Sequence, residues 1–438
     1  MLGLGVETVQ HGEIKMTKVD KNYVPLTVET LASRLGSVDA IVTRLGTDIS
    51  KWKSNEVGDG NLNLVFIVKS EQGSVIVKQA LPYVRLVGDS WPLPLKRAFF
   101  EYHALIRQAE RDPGAVPTIY YFDQEQAIIV MEFFTPHVIL RESLMAGKKH
   151  DGLPRVLGHF CARTLFRGSD LSMDTAKRKS DVALFVDSVE LCGITETLIF
   201  SDPYFDAERN HHTPQLDRIV ARLRADIDLK VEAHHLKAKF CNNGETMLHG
   251  DFHTGSVMVS DNETKIIDPE FALYGPMGFD VGMLLGNFWM AYFAQPGHAR
   301  AKGERDDYQN WILDVVDGIW SNFSVEFSRL WREERTGILY EKTLFEDQGH
   351  TLASEQALSH RLNAIWEDTL GFAGVEIIRR TLSLAHIAEN VTIKNEELRA
   401  DCEARGLDLG RQLVVNRSRI NSMASVRDLV QIIAKEAK

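Results

Sequence analysis

The chain has 438 residues, of which 44% are hydrophobic and 25% are charged, so it is long and apolar enough to bury sizeable cores. At about 100–200 residues per domain, this length predicts two to four domains. The 61 acidic side chains outnumber the 50 basic ones and give a net charge of −11. Because nucleic-acid phosphates and anionic lipids repel a negative surface, we expect neither a nucleic-acid partner nor a membrane partner.

Cysteine usage and hydropathy indicate a cytoplasmic protein. The best candidate for a membrane span lies between Asp280 and Arg300, but its apolar part covers only residues 281–293, and a span needs about 20 apolar residues. The first residues lack the basic start of a secretory signal. The cysteines are far apart and lack the Cys-x-x-Cys spacing of zinc ribbons, so we expect reduced thiols at Cys161, Cys192, Cys241 and Cys402.

The pattern of the first third of the chain predicts a short helix followed by strands. Thr27 is a suitable N-cap for an apolar stripe that ends before Gly36. From Trp52 the period changes to two, and β-branched runs at residues 62–69 and 74–79 predict a hairpin. The pattern then predicts a helix at about residues 95–110 and a strand pair at residues 118–122 and 127–134.

The remainder of the chain is mostly helical in pattern. Thr213 and Pro214 suit the start of a helix, the apolar stripe at residues 311–330 predicts a long helix, and Ser425 opens the last one. One short apolar hairpin, residues 247–248 with residues 265–267, interrupts the helices.

These elements predict an α+β chain with two lobes. We expect residues 1–135 to form an N-terminal lobe with a small antiparallel sheet, and residues 136–438 to form a larger, mainly helical C-terminal lobe. A cleft between two such lobes is a natural ligand site.

A first group of residues suggests a nucleotide site. The loop Gly58, Asp59, Gly60 and Asn61 stands between two strand-like segments, and small residues there let backbone N–H groups approach phosphate oxygens. Lys78, on the next strand, can reach nucleotide phosphates, and Glu101, on the following helix, can hold that lysine in place. Taken singly, these residues are typical of a hairpin turn, an exposed lysine and a solvated glutamate. Their order and spacing together favour the nucleotide site.

The second group is the most specific in the chain and comprises residues 249–256, His-Gly-Asp-Phe-His-Thr-Gly-Ser, and residues 266–270, Ile-Ile-Asp-Pro-Glu. Asp251 can accept a hydrogen bond from an attacking hydroxyl. Asp268 and Glu270, as alternate residues of an extended segment, can share a hard divalent cation.

Two other interpretations of this group are open. An aspartate beside a glycine is often only a turn cap. A zinc site at His249 and His253 would need a helix, which Gly250 and Gly255 disfavour.

These motifs together resemble the protein-kinase-like fold in its small-molecule branch, which includes aminoglycoside and choline kinases. The narrower resemblance is to the methylthioribose kinase family. The segments that carry it are residues 58–63, 86–92, 162–166, 249–256, 268–272 and 274–280, and the pair Arg379-Arg380.

The resemblance implies a two-lobed kinase that uses ATP and Mg²⁺ to phosphorylate the 1-hydroxyl of 5-methylthioribose in methionine salvage. It implies that Asp251 is the catalytic base, that Asp268 and Glu270 bind magnesium, and that Lys78 touches the ATP phosphates. The hinge, Met131, Glu132 and Phe133, would meet adenine, and the loop around Trp91 would close over the site. It also suggests a homodimer.

Arg379 and Arg380 have two interpretations. Adjacent helical residues diverge by about 100°, so the pattern alone favours one surface charge and one salt-bridge partner. In the resembling family, a twin arginine lies at the substrate side and stabilises charge on the transferring phosphate, for which guanidinium forks are well matched. We therefore expect both arginines to be catalytic and to contact the substrate.

The sequence departs from general kinases at two positions. Ser256 stands where a metal-binding asparagine is usual, and Asp268-Pro269-Glu270 replaces Asp-Phe-Gly, so we expect Glu270 to take a ligand role. For Asp280 we prefer a role in orienting the catalytic loop by hydrogen bonds.

Rival functions are a kinase for choline, homoserine or an aminoglycoside and, from another class, a nucleotide-binding pseudokinase. A cationic aminoglycoside calls for acidic groups, whereas Arg379 and Arg380 are basic. The intact Lys78, Asp251 and Asp268 argue against a pseudokinase.

Overall fold

The computed structural model describes residues 22–58, 62–84 and 88–436. The helices are α1 (Val28–Leu35), α2 (Asp39–Leu45), α3 (Arg97–Arg111), α4 (Leu140–Met145), α5 (Leu153–Arg167), α6 (Thr175–Phe185), α7 (Val189–Leu198), α8 (Asp217–Ala225), α9 (Ile227–Asn242), α10 (Gly278–His298), α11 (Asp306–Glu333), α12 (Thr351–Leu382), α13 (Ala388–Val391), α14 (Glu396–Asn416) and α15 (Met423–Lys435). The strands are β1 (Lys53–Glu56), β2 (Asn63–Lys69), β3 (Ser74–Ala80), β4 (Tyr83–Val84), β5 (Gly88–Pro92), β6 (Ile119–Asp123), β7 (Ile128–Glu132), β8 (Val138–Ile139), β9 (Thr246–Met247), β10 (Val257–Val259), β11 (Thr264–Ile266) and β12 (Tyr274–Gly275).

The chain divides into two compact units that do not follow the predicted boundary at residue 135 throughout. Of the described residues, the first unit contains those up to Ala98 together with Tyr120–Val130, and the second contains Phe99–Ile119 and those from Met131 onward. Helix α3, which the sequence assigned to the N-terminal lobe, thus belongs largely to the second unit. The reason is its apolar face, which packs in one cluster with Phe185, Met247 and Ala272.

The first unit is a sheet with α1 and α2 packed on one face. The strand order is β1-β2-β3-β7-β6, and β2 pairs with β1 and β3 antiparallel. Side chains alternate along β3, so Val75 and Val77 enter the core beneath the two helices while Lys78 points to the other face. Full burial of each such aliphatic side chain stabilises the unit by about 1.5–3 kcal/mol.

The second unit is built around α10, which is buried on all sides. Helices α11, α12 and α14 pack against it, and the ring of Phe279 lies 4.9 Å from that of Phe240 and 5.2 Å from that of Phe372. An apolar helix without a polar stripe is typical of such a central position. In the described part of the chain, no helix combines the length and apolarity that crossing a membrane requires.

Short antiparallel strand pairs hold the two segments that contain the second group of sequence motifs. Strand β9 pairs with β12, and β10 pairs with both β8 and β11. Residues 249–256 therefore run from β9 to β10, and residues 267–272 run from β11 toward β12. We call residues 249–256 the catalytic loop, after the role predicted for Asp251.

Most predicted elements are confirmed, and two details are wrong. The helix capped by Thr27, the hairpin of β2 and β3, helix α3, the β6 and β7 strands and the long helix α11 all form. The predicted hairpin of residues 247–248 with 265–267 is wrong, because those residues pair with β12 and β10 instead. The last helix is capped by Ser422, not opened by Ser425.

Candidate active site

Two of the predicted nucleotide residues, Gly58 and Lys78, are described in the first unit. Gly58 follows β1, and Lys78 lies on β3 opposite Val65 of β2, with only 8% of its surface exposed. Asp59, Gly60 and Asn61 lie outside the described residues, as does the side chain of Trp91, whose backbone belongs to β5.

The predicted hinge begins at the end of β7. Met131 and Glu132 are the last residues of that strand, and Phe133 follows it. The backbone N–H of Glu132 donates to the carbonyl of Thr118 at 2.9 Å.

The shape of the catalytic loop depends on Gly250. Its φ is +86°, and a Cβ added there would lie 2.0 Å from the carbonyl oxygen of Phe271. Any other residue would therefore suffer both backbone strain and a clash with backbone, which is why His-Gly-Asp carries a glycine at this point.

Asp280, near the start of α10, fixes the same loop. Its Oδ2 accepts a hydrogen bond from the backbone N–H of His249 at 2.6 Å, and its Oδ1 accepts one from Gly250 at 3.0 Å. The predicted orienting role of Asp280 is thereby confirmed. Burial raises the pKa of this carboxyl.

The catalytic loop and the Asp-Pro-Glu segment lie side by side. His249 Nε2 faces the carbonyl oxygen of Ile267 at 2.9 Å, and the backbone N–H of Ile267 donates to the carbonyl of Ser256 at 3.0 Å. These bonds connect the two motifs that are far apart in the printed sequence.

Asp251 faces two guanidinium groups. Its Oδ1 accepts from Arg380 Nη2 at 3.0 Å and from Arg379 Nη2 at 3.3 Å, while 27% of its side chain remains exposed. Burial alone raises the pKa of Asp251, but His253, Arg380 and Arg379 outweigh it and hold the pKa well below the usual value. Asp251 is therefore ionised in the free protein and accepts hydrogen bonds only.

His253 supports the other oxygen of Asp251. Its Nδ1 accepts the backbone N–H of Gly255 at 2.9 Å, so the ring proton of the neutral form sits on Nε2, which faces Asp251 Oδ2 at 3.3 Å. Burial lowers the pKa of His253 to about 4. His253 is thus a neutral donor to Asp251 at physiological pH.

Three carboxylates gather at the predicted metal site. Each of Glu101, Asp268 and Glu270 offers an oxygen, and these oxygens lie within 4.8 Å of one another. Glu101 and Glu270 are buried, whereas Asp268 is exposed. The segment is not extended as expected, because Asp268 has a φ of +67°. This left-handed residue, rather than strand alternation, sets the position of the Asp268 carboxylate.

The structure does not support the alternative zinc site. Both imidazoles face partners within the loop and its neighbour: His249 faces the carbonyl of Ile267, and His253 contacts Gly255 and Asp251. Within the described residues, the group suited to a metal is the one formed by Glu101, Asp268 and Glu270.

Arg379 and Arg380 are both buried, at 7% and 6% exposure, so neither is the surface charge that their adjacency suggested. They reach the same oxygen because long side chains can converge even where the Cα–Cβ directions diverge. Glu376 accepts the Nε–H of Arg380 at 2.8 Å and that of Arg379 through its other oxygen.

Sequence reasoning missed His253 as a partner of Asp251, and it missed Glu376. The spacing Glu376, Arg379, Arg380 was visible as i, i+3 and i, i+4 pairs on one helix. Such pairs are common on exposed helix faces, however. Only burial distinguishes this one, and the spacing does not reveal burial.

Comparisons with known proteins show which proteins this chain is similar to. Residues 54–313 match the family model described as "Phosphotransferase enzyme family". The chain is 43% identical to a methylthioribose kinase of Escherichia coli O45:K1 over 93% of this chain and 97% of that protein. It is 39% identical to methylthioribose kinase 1 of Oryza sativa subsp. japonica, over 93% and 95% of the two chains. It is 41% identical to a methylthioribose kinase of Geobacillus sp. (strain WCH70), over 93% and 96%.

Among solved structures, a glucosamine kinase aligns with a TM-score of 0.47 and 14% identity, covering 88% of this chain and 86% of that chain.

Proposed function

This chain belongs to the methylthioribose kinase family, and from that premise we propose how its residues transfer the terminal phosphoryl group of ATP to the 1-hydroxyl of 5-methylthioribose. The products are ADP and 5-methylthioribose 1-phosphate, as methionine salvage requires. The fold is the protein-kinase-like one, with a small sheet-bearing lobe and a larger helical lobe. The observation that carries the proposal is the ionised Asp251 carboxylate facing Arg379 and Arg380.

Asp251 orients the sugar hydroxyl for in-line attack. Its low pKa makes it a weak base, so its contribution is to accept the hydrogen bond of the hydroxyl and to align it. In a loose phosphoryl-transfer transition state, the nucleophile bonds little and its proton is released late. The proton therefore moves to Asp251 only as the new O–P bond is completed.

Arg379 and Arg380 stabilise the phosphoryl group during transfer. Each guanidinium presents an Nη group at Asp251 Oδ1, beside the position of the attacking oxygen. Guanidinium groups match phosphate oxygens, and an arginine acting in this way contributes about 10³-fold or more in rate.

Asp268 and Glu270 are suited to hold Mg²⁺, with Glu101 as a third oxygen donor. Oxygen ligands are those magnesium prefers, and here three carboxylates each offer an oxygen within 4.8 Å of the other two. An ion held there would offset negative charge on the ATP phosphates.

In the first unit, we assign Gly58, Asp59, Gly60, Asn61 and Lys78 to the ATP phosphates. Support comes from the burial of Lys78 on β3 and from the order of these residues in the family motif. We assign the backbone of Met131, Glu132 and Phe133 to adenine, and Trp91 to the sugar side. These roles follow the family pattern.

The test is an acceptor panel with purified protein, measuring ADP release with 5-methylthioribose, ribose, choline, homoserine and an aminoglycoside. We expect turnover with methylthioribose to exceed that with each other acceptor at least a hundredfold. Preference for another acceptor would assign a different small-molecule kinase activity. ADP release that no acceptor increases would instead indicate a nucleotide-binding pseudokinase.

We further propose that the protein acts in the cytoplasm as a homodimer. All four cysteines, each within the described chain, are free thiols, as suits a reducing compartment. Large apolar side chains are exposed on the second unit, among them Leu344 and Leu352, and such surface is a candidate for self-association. Sedimentation equilibrium measures the oligomeric state directly.

A further inference from the structure

Behind the arginine pair lies a ring of polar side chains, most of which are buried. From Asp251 it passes through Arg379 and Arg380 to Glu376, and then to Asn287 of α10. From there it continues through Arg141 of α4 to Glu389 of α13, which accepts the hydroxyl of Thr254 in the catalytic loop. The ring thus starts and ends on the catalytic loop.

Glu376 is the member that touches both arginines. It has no exposed surface, and its Oε1 accepts both Arg380 Nε at 2.8 Å and Asn287 Nδ2 at 2.9 Å, while its Oε2 accepts Arg379 Nε. Burial alone raises the pKa of Glu376, but Arg379 and Arg380 outweigh it and lower the pKa. Glu376 is therefore an anion held between two cations.

The position of Glu376 determines which edge of each guanidinium faces Asp251. Because Glu376 occupies both Nε–H groups, the Nη2 groups of Arg379 and Arg380 point at Asp251. Glu376 also compensates the repulsion between two adjacent cations. With Arg141 and Glu389 included, the ring has three positive and three negative side chains and no net charge.

Asn287 has its amide orientation fixed by its neighbours. Its Nδ2 donates to Glu376 and to the carbonyl of Met283, and its Oδ1 accepts Arg141 Nη2 at 3.1 Å. An aspartate here could not donate to Glu376, so the asparagine serves to hold the glutamate in place.

We propose that Glu376 is a positioning residue for phosphoryl transfer, which sets the direction of both Arg379 and Arg380 and is itself held by Asn287. This inference rests on one part of the proposed function, namely that Arg379 and Arg380 stabilise the phosphoryl group during transfer. Glu376 touches neither substrate nor nucleotide; it acts through the arginines.

The variant Glu376→Gln tests the inference, because the amide has nearly the same shape but only one acceptor oxygen. One arginine Nε–H must then face an NH₂ group and turn away. We expect kcat to fall at least 30-fold, with KM for ATP unchanged within threefold. Asn287→Ala, a milder change that leaves the carboxylate, should lower kcat about fivefold.

The matched control is Glu326→Gln. Glu326 is also buried between two arginines, Arg163 and Arg329, but on α11 and without contact to the catalytic loop. We expect it to lose thermal stability as Glu376→Gln does and to keep wild-type kcat.

A double-mutant cycle distinguishes the positioning role of Glu376 from a purely structural one. If Glu376 acts through the arginines, Glu376→Gln should change kcat less than threefold when Arg379 and Arg380 are already lysines. Full additivity in that background, or wild-type kcat for Glu376→Gln in the native background, would overturn the inference.

The ratios are measured with whichever acceptor the wild type phosphorylates best. Failure of the methylthioribose assignment would therefore appear in the acceptor panel and not in these ratios. If Arg379→Lys and Arg380→Lys keep wild-type kcat, the arginine role in the proposed function is wrong, and the inference is overturned with it.

Discussion

At the scale of single residues, the site combines groups whose charge states are set by their neighbours. Asp251 is ionised because two guanidiniums and His253 face it, and His253 is neutral because it is buried. The aspartate could be predicted from its motif. Its contact with Arg379 and Arg380 could not, since these residues lie over a hundred positions away and only the fold brings them to the same oxygen.

Replacement of Asp251 by alanine should remove the alignment of the attacking hydroxyl. We expect kcat to fall by about 10³-fold, within the 10²–10⁴ typical of a group that handles the proton, while ATP affinity stays within threefold. Steady-state kinetics and nucleotide titration measure the two quantities. Asp261→Ala, at an exposed turn between β10 and β11, is the control and should behave as wild type. An Asp251→Ala enzyme within tenfold of wild type would refute the assignment.

Two substitutions of Asp268 separate its carboxylate from its backbone. Asparagine tolerates the left-handed conformation at φ +67°, whereas alanine does not, at a cost of about 1–2 kcal/mol. Both Asp268→Asn and Asp268→Ala should lose magnesium-dependent turnover, but the alanine variant should be the less stable of the two. Activity is measured across a magnesium titration, and the free energy of unfolding by denaturant. Equal stability of the two variants would contradict the argument from strain.

At the scale of elements, the contact between α10 and α12 positions the ring described above. A glycine recurs every four residues along α10, and each one lies against the backbone of α12: Gly278, Gly282 and Gly286. Asn287 follows directly, and Glu376 lies farther along α12. The sequence shows an apolar run at residues 281–293, but not which helix would cover it, because hydropathy identifies an apolar segment and not its partner. The wrong hairpin at residues 247–248 has the same cause, since strand pairing over long separations is not encoded locally.

Gly282→Ala should disturb this contact. The added Cβ would lie 2.6 Å from the carbonyl oxygen of Thr369, which is backbone and can yield only if the helices move apart. We expect the free energy of unfolding to fall by about 1–3 kcal/mol and kcat to fall as well, because α12 carries the arginines. Gly193→Ala is the matched helical control: nothing lies within 4 Å of its added Cβ, so it should be neutral or stabilising by about 0.5–1 kcal/mol. Denaturant unfolding measures the stability of each variant, and steady-state kinetics measures its kcat. If Gly282→Ala leaves both the free energy of unfolding and kcat unchanged, α10 and α12 are not in close contact.

At the scale of the whole molecule, stability depends on ion pairs that join distant segments. Glu326 of α11 binds Arg163 of α5 and its own neighbour Arg329. The change of pattern near residue 135 predicted two lobes, but the placement of α3 could not be predicted from it. The amphipathic pattern of α3 suits either unit, and its contact with Phe185 and Ala272 appears only in three dimensions.

The pH dependence of unfolding should report on Glu326. Hydrogen bonds from Arg329 and Arg163 lower its pKa from 4.5 to about 2. A lowered carboxyl pKa stabilises the folded state above the unfolded-state pKa, and that contribution is lost as pH falls from about 4.5 toward 2. The difference in melting temperature between wild type and Glu326→Gln should thus be largest at pH 6–7 and shrink below pH 4.5. A difference that is constant across this range would exclude the linkage.

Helix α12 has a consequence for engineering the acceptor range of this enzyme. The same 32-residue helix packs closely against the glycines of α10 along one stretch, and near its end it carries Arg379 and Arg380, for which we propose a catalytic role. Random libraries that vary its inward-facing positions will therefore return mostly inactive clones, even where no targeted residue meets the sugar. Sequence diversity is better introduced outside this helix, and the residues at which α10 packs against α12 are best left unchanged.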